Sequence, residues 1–189
     1  MIEVAGNWHK GFAYDLHTLR SEFVGYDEYG NPQFETTYSE MGALLHDLKY
    51  RGNRQAVNKI ADLLGVPEVF GLCDLIIPAP SSRQRASQPV DEIALELGRR
   101  AGIEVMIGAL EKAGSKQLKE IHDPEERMEE LKKTISLNKS ADVSGRRVLL
   151  LDDLYRSGAT LIACTASLYN QGKARQVSVL TMTKTRSNR

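Results

Sequence analysis

The sequence predicts an α/β protein: a parallel, twisted sheet flanked by helices, with a small N-terminal β-hairpin and helix subdomain in front of it. Two observations carry this. From residue 74 onward, short apolar runs alternate with helical patterns, the signature of βαβ units and of a sheet covered on both faces. The first 38 residues instead hold most of the aromatics (Trp8, Phe12, Tyr14, Phe23, Tyr26, Tyr29, Phe34 and Tyr38), interrupted by Asp27-Glu28-Tyr29-Gly30-Asn31-Pro32. Two β-prone runs around a Gly-Asn-Pro turn read as a hairpin. The expected division is therefore an aromatic hairpin region over residues 1–38 and one compact unit over 39–189.

Taken in order, the elements follow from local chemistry. Met41, Leu44, Leu45 and Leu48 recur at helical spacing, with Ser39 as N-cap and Gly52 as stop. Val57, Ile60, Leu63 and Leu64 form the apolar face of a second helix that Gly65 closes. Leu75-Ile76-Ile77 is a short apolar run ending at Pro78. Pro89 suits the first turn of a helix with Val90, Ile93, Ala94 and Leu97 on one face, ending near Gly102. Ile103 to Leu110 reads as a strand, and Asp123-Pro124-Glu125-Glu126 as the capped start of a short helix. Val148 to Leu151 is a buried strand, Ala159 to Tyr169 a helix, and Val177 to Met182 a last strand. In such sheets ligands sit outside the carboxyl ends of the strands, so the loops after Ile77, Leu110 and Leu151 are where chemistry is expected.

Composition narrows the function classes. The chain has 189 residues, enough for one domain with a sizeable core. Lys plus Arg and Asp plus Glu stand at 25 each; a binder of nucleic acid by bulk charge would carry a basic excess. Cys73 and Cys164 are far apart and lack CxxC spacing, against a disulfide framework or cysteine-rich zinc site and in favour of a reducing compartment. The N-terminus lacks the charge and apolar pattern of a signal peptide, and no apolar stretch has the length of a membrane span. A soluble, cytoplasmic protein is expected. No GxSxG, Walker A or GxGxxG motif is present, and His9, His17, His46 and His122 show no metal spacing. Of these, His17 would reach a site if the hairpin folds over the core.

The segment Val148 to Leu161 carries the chemistry. An apolar strand runs into Asp152 and Asp153, then into Leu154-Tyr155-Arg156-Ser157-Gly158, then into a helix. The start of that helix exposes backbone N–H groups without internal partners at the positive end of its dipole, a ready phosphate cradle. Gly158 lets the backbone approach an anion, and the Ser157 and Thr160 hydroxyls add donors. Two carboxylates beside a phosphate would repel it if they faced it. They make sense if a neutral polyol lies between, its hydroxyls donating to the carboxylates and its distal phosphate in the cradle. A ribose 5-phosphate has that layout. The alternative is an ordinary βα loop with two solvated aspartates and a helix cap.

Asp152 to Thr160 resembles the ribose-5-phosphate signature of type I phosphoribosyltransferases: strand, paired acids, three residues, Ser or Thr, Gly, any residue, Thr. The resemblance implies the fold of that family. It also implies that Asp152 and Asp153 hold the ribose 2′- and 3′-hydroxyls, and that Tyr155, Arg156, Ser157, Gly158, Ala159 and Thr160 hold the 5′-phosphate of 5-phosphoribosyl-1-pyrophosphate. A narrower likeness is to the ComF-like, amidophosphoribosyltransferase-related proteins. Leu48-Lys49-Tyr50-Arg51-Gly52 is similar to their LKYRG-type motif, and Ile77 to Arg85 to their proline-flanked first-strand loop. Lys116-Gln117-Leu118 with Glu126-Arg127 is similar to their mobile loop. This chain lacks the N-terminal zinc cluster of many such proteins.

By that likeness Ala79, Pro80, Ser81, Ser82 and Arg83 would contact pyrophosphate, with Arg83 presenting a guanidinium fork; Arg83 and Arg85 otherwise read as surface arginines. Lys112, Lys116 and Gln117 would belong to a loop that closes over substrate or would be plain exposed residues. Lys49 and Arg51 read best as cations at a helix C-terminus. The reaction implied is transfer of the phosphoribosyl group to a nitrogen acceptor, with Mg²⁺ carried by the substrate rather than by protein ligands. The alternative is a sensor or accessory protein that binds the same molecule without turnover, in DNA uptake or nucleic-acid handling. The expected partners are 5-phosphoribosyl-1-pyrophosphate and, as an option, a second copy of the chain; nucleic acid is left open and no membrane is expected.

Overall fold

The architecture was determined as a computed structural model, which describes residues 1–65, 71, 73–81, 88–113, 123 and 134–186. Ten strands and four helices occur among them: β1 Ile2–Glu3, β2 Lys10–Leu16, β3 Thr18–Tyr26, β4 Pro32–Tyr38, α1 Glu40–Arg51, α2 Gln55–Leu64, β5 Leu75–Pro78, α3 Pro89–Ala101, β6 Glu104–Val105, β7 Leu110–Lys112, β8 Ile135–Leu137, β9 Arg147–Tyr155, α4 Ala159–Asn170 and β10 Gln176–Lys184. No described helix is long and apolar enough to cross a membrane.

A six-stranded sheet with order β1-β2-β10-β9-β5-β6 is the centre of the molecule. All its pairings are parallel except the short antiparallel edge β1–β2. Because successive strand residues point to opposite faces, β9 divides its apolar residues between two cores. Val148 and Leu150 pack with Leu161, Cys164 and Leu168 of α4. Leu149 and Leu151 pack with Leu45 of α1, Ile60 of α2 and Ile93 of α3. The expected α/β layering, with helices on both faces of a parallel sheet, is therefore present.

Local signals set the helix ends. The Ser39 hydroxyl accepts from the Gly42 N–H at 3.0 Å and starts α1, and Gly52 ends it in the left-handed region at φ 64°. Pro89 opens α3, and Gly102 closes it at φ 68°.

Two expectations need correction. The hairpin does not occupy residues 1–38: it comprises β3 and β4 alone, while β2 lies parallel to β10 inside the main sheet. An apolar run in sequence does not reveal which distant strand it pairs with. Nor is Ile103 to Leu110 one strand. β6 ends at Val105, Gly108 turns the chain at φ 71°, and β7 pairs antiparallel with β8 in a separate ribbon. Ser82, Arg83, Arg85, Lys116, Gln117, His122 and the helix start expected at residues 124–126 lie outside the described residues.

Candidate ribose-phosphate site

The carboxyl ends of four parallel strands meet at one edge of the sheet. The Ala79 N–H donates to the Leu151 carbonyl at 2.8 Å, Thr185 N–H to Tyr155 at 2.9 Å, and His17 N–H to Lys184 at 2.8 Å, tying the exits of β5, β9, β10 and β2 together. The β9–α4 turn rises from this edge. There an open depression is lined by Asp152, Leu154, Arg156, Ser157, Gly158, Ala159, Thr160 and Leu161, so most of the residues expected to hold the phosphate share one surface with one of the two acids.

Gly158 is the pivot of the turn. Its backbone stands at φ 75°, in the left-handed region, immediately before α4. A Cβ here would come within 2.8 Å of the Tyr155 ring. Gly158, the N-cap, has no side chain with which to cap α4; the Ser157 hydroxyl accepts from the Ala159 N–H at 3.5 Å, and the first intrahelical bond runs from Ile162 N–H to the Gly158 carbonyl at 2.8 Å. The N–H groups of Thr160 and Leu161 thus precede the helical ladder and open at the positive end of the dipole. Tyr155 itself is buried and its hydroxyl donates to the Ala5 carbonyl at 3.1 Å. It forms the floor under Gly158 and stands edge-on to Trp8, with ring centroids 6.4 Å apart. Arg156 and Ser157 are exposed.

Strand alternation sends the two acids to opposite faces of the sheet. Asp152 lines the depression on the α4 side, where its Oδ1 accepts from the Asp153 N–H at 2.8 Å. Burial, with the adjacent Asp153 carboxylate second, pushes the Asp152 carboxyl up to about 7. Lys49 and Lys112 act in the opposite direction, which places the positive charge of Lys112, at the end of β7, within electrostatic range of the site. Asp153 instead faces α1, where its Oδ2 meets the Lys49 ammonium at 2.5 Å. The Asp153 carbonyl accepts from the Thr183 hydroxyl at 3.0 Å, and that hydroxyl is 3.0 Å from His17 Nδ1. Burial, then the Lys49 charge, lowers the pKa of His17, which keeps the imidazole neutral at pH 7. Its ring continues into an aromatic row, edge-on to Tyr38 at 5.6 Å, with Tyr38 to His46 at 5.2 Å and His46 to Tyr50 at 4.9 Å.

Sequence reasoning points to the turn and both acids, and it names His17 as a residue that would reach a site if the hairpin folds over the core. It assigned Lys49 to a helix terminus; the signal that marked this lysine was the Leu48-to-Gly52 motif. Thr183 carried no signal, being one of two threonines in the largely apolar β10. Ala79 is buried in its contact with Leu151, Pro80 is half-buried and Ser81 exposed at the exit of β5.

No protein-family profile and no curated protein matches the chain. Solved structures do resemble it in part. Orotate phosphoribosyltransferase from Aeropyrum pernix aligns with 15% identity over 91% of this chain and 78% of its own, with a TM-score of 0.46. A hypoxanthine phosphoribosyltransferase from Staphylococcus aureus aligns at 14% over 72% and 67%, TM-score 0.45. Adenine phosphoribosyltransferase from Thermoanaerobacter pseudethanolicus aligns at 17% over 87% and 94%, TM-score 0.43. Each is a partial likeness of backbone course at low identity.

Proposed function

We propose that this chain binds 5-phosphoribosyl-1-pyrophosphate at the β9–α4 turn and transfers its phosphoribosyl group to a nitrogen acceptor. The observation that carries the reading is the meeting, in one depression, of the Asp152 carboxyl with the start of α4 behind Gly158. An anion at the helix start and a hydroxyl-bearing carbon skeleton reaching back to the acid satisfy both ends. In the reaction the bond from sugar C1 to pyrophosphate oxygen breaks, a bond from C1 to the acceptor nitrogen forms, and the nitrogen releases a proton. The transition state has oxocarbenium character, as in glycoside hydrolysis.

The protein needs no nucleophile for this chemistry. Its task is to hold the sugar by its hydroxyls and 5′-phosphate so that C1 faces the acceptor. Ala79, Pro80, Ser81, Ser82 and Arg83 are assigned to the pyrophosphate, and Lys112, the last residue of β7, is assigned with Lys116 and Gln117 to contacts that cover it. Among the described residues no three His, Cys, Asp or Glu gather as a metal site. The hard oxygen donors of a pyrophosphate suit Mg²⁺ as a companion of the substrate, which would supply neutralisation of leaving-group charge when bound.

The test is calorimetric titration of the protein with 5-phosphoribosyl-1-pyrophosphate and Mg²⁺, with Asp152→Asn/Asp153→Asn as control. Micromolar binding that the double variant loses is the expected result; no binding by the wild type sinks the assignment. Pyrophosphate release with an acceptor separates the enzyme from a sensor, which would bind and never turn over across a broad amine and nucleobase panel.

A further inference from the structure

We propose that Lys49 is a positioning residue of this site: its ammonium fixes the orientation of the Asp153 carboxylate, so that its remaining acceptor sites are ordered for sugar hydroxyls at the carboxyl end of β9. The inference rests on the sugar-phosphate reading above and extends it to a residue on another element. Lys49 lies in the last turn of α1 and Asp153 near the end of β9, yet their charged atoms are 2.5 Å apart. Their side chains are only 15% and 22% exposed. A pair held that far from solvent is screened little, in contrast to surface pairs such as Arg51–Asp47, whose arginine is 71% exposed.

The geometry also answers an electrostatic problem. Asp152 and Asp153 are adjacent, and a phosphate is to bind a few residues away. Two bare carboxylates there would repel each other and the ligand. A cation on the α1 face offsets one of them without entering the depression on the α4 face. An ionised carboxylate has about four lone-pair sites, so Asp153 keeps acceptor capacity beyond the ammonium.

The backbone of the same residue is held from the other side, where the Thr183 hydroxyl donates to the Asp153 carbonyl and lies against His17. The charged and titratable groups around the pair are Asp152 on β9, His17 following β2, His46 on α1 and Lys112 on β7. With His17 neutral, Lys49 is the cation in direct contact with the acids among the described ion pairs.

The experiment uses the full chain as wild type, Lys49→Met, Lys49→Arg, Asp153→Asn and Lys49→Met/Asp153→Asn. Two quantities are read: the dissociation constant for ribose 5-phosphate at pH 8, and the titration midpoint of the Asp152 carboxyl in ligand-free protein by ¹³C NMR. Lys49→Met is expected to weaken binding about tenfold, the loss typical of one charge-assisted hydrogen bond, and to move the Asp152 midpoint upward. Lys49→Arg restores both. The double variant binds no worse than Asp153→Asn, because Lys49 acts through that acid; it also avoids an orphaned charge, so it folds even if Lys49→Met does not. An unchanged midpoint in Lys49→Met, or additive losses in the double variant, overturns the proposal. If wild type binds no ribose 5-phosphate, the ligand reading fails on its own and the midpoints still decide the role of Lys49.

Discussion

At Gly158 the backbone is in the left-handed region and a side chain would meet Tyr155. Gly158→Val is therefore expected to cost about 1–3 kcal/mol of stability and to abolish ribose 5-phosphate binding. Urea unfolding and calorimetry on one preparation check both, and a folded variant with a normal dissociation constant refutes the cradle. At Asp152 the sign of the pH dependence is fixed by the upward shift to about 7. Between the ordinary carboxyl value and 7 the folded chain binds more protons here than the unfolded chain, so this group's contribution to stability falls as pH rises. Wild type should lose more stability from pH 5 to pH 7.5 than Asp152→Asn, which has nothing to ionise. Equal losses in paired urea melts would show that the carboxyl is not held this way.

Element packing brings Lys49 to the acids. Helix α1 is anchored at its start by Ser39, whose hydroxyl donates to the Leu16 carbonyl at 2.5 Å while accepting from Gly42. Gly42 then lets the helix lie against the β2–β3 corner: a Cβ there would stand 2.1 Å from the His17 carbonyl oxygen. Backbone cannot yield as a flexible side chain does, so Gly42→Ala is expected to shift α1 and cost about 1–3 kcal/mol. The same shift should separate Lys49 from Asp153 and weaken ribose 5-phosphate binding in a protein that still folds. Thermal melts with calorimetry test this, and a destabilised variant of unchanged affinity would show that α1 does not position the site. Ser39→Ala removes the cap and is expected to cost about 1 kcal/mol, read as a shift in urea midpoint. These signals were local. The cap, the glycine stop and the apolar spacing of α1 all lie within its own residues, and they were legible for that reason, as was the Gly158 turn before α4.

Across the whole molecule, the N-terminal residues brace the far end of the chain. Trp8 is buried, donates from Nε1 to the Val4 carbonyl at 3.0 Å and contacts Tyr155, the floor of the cradle. Trp8→Ala should cost about 3–5 kcal/mol and loosen the turn 150 positions away in sequence terms, between Ala5 and Tyr155. Denaturant unfolding checks the first effect and ribose 5-phosphate affinity the second. Contacts of this reach escape one-dimensional reading. Lys10 to Leu16 falls inside the expected hairpin region of residues 1–38 because its composition is visible locally, whereas its pairing with β10 depends on chain closure. Lys49 looks like a helix-terminal cation because its helix is local and Asp153 is not. The run from Ile103 looked continuous because one glycine does not announce its positive φ. The sequence by itself determined the α/β class, the helix ends and the acid–turn–helix segment, since those depend on propensity, periodicity and capping within a few residues. Only the tertiary structure decided that the two acids point to opposite faces, that Lys49 meets one of them, and that His17 and Thr183 hold the same strand. Those relations come from packing α1 and β10 against β9, and residues distant along the chain share an energy only once the core has brought them together.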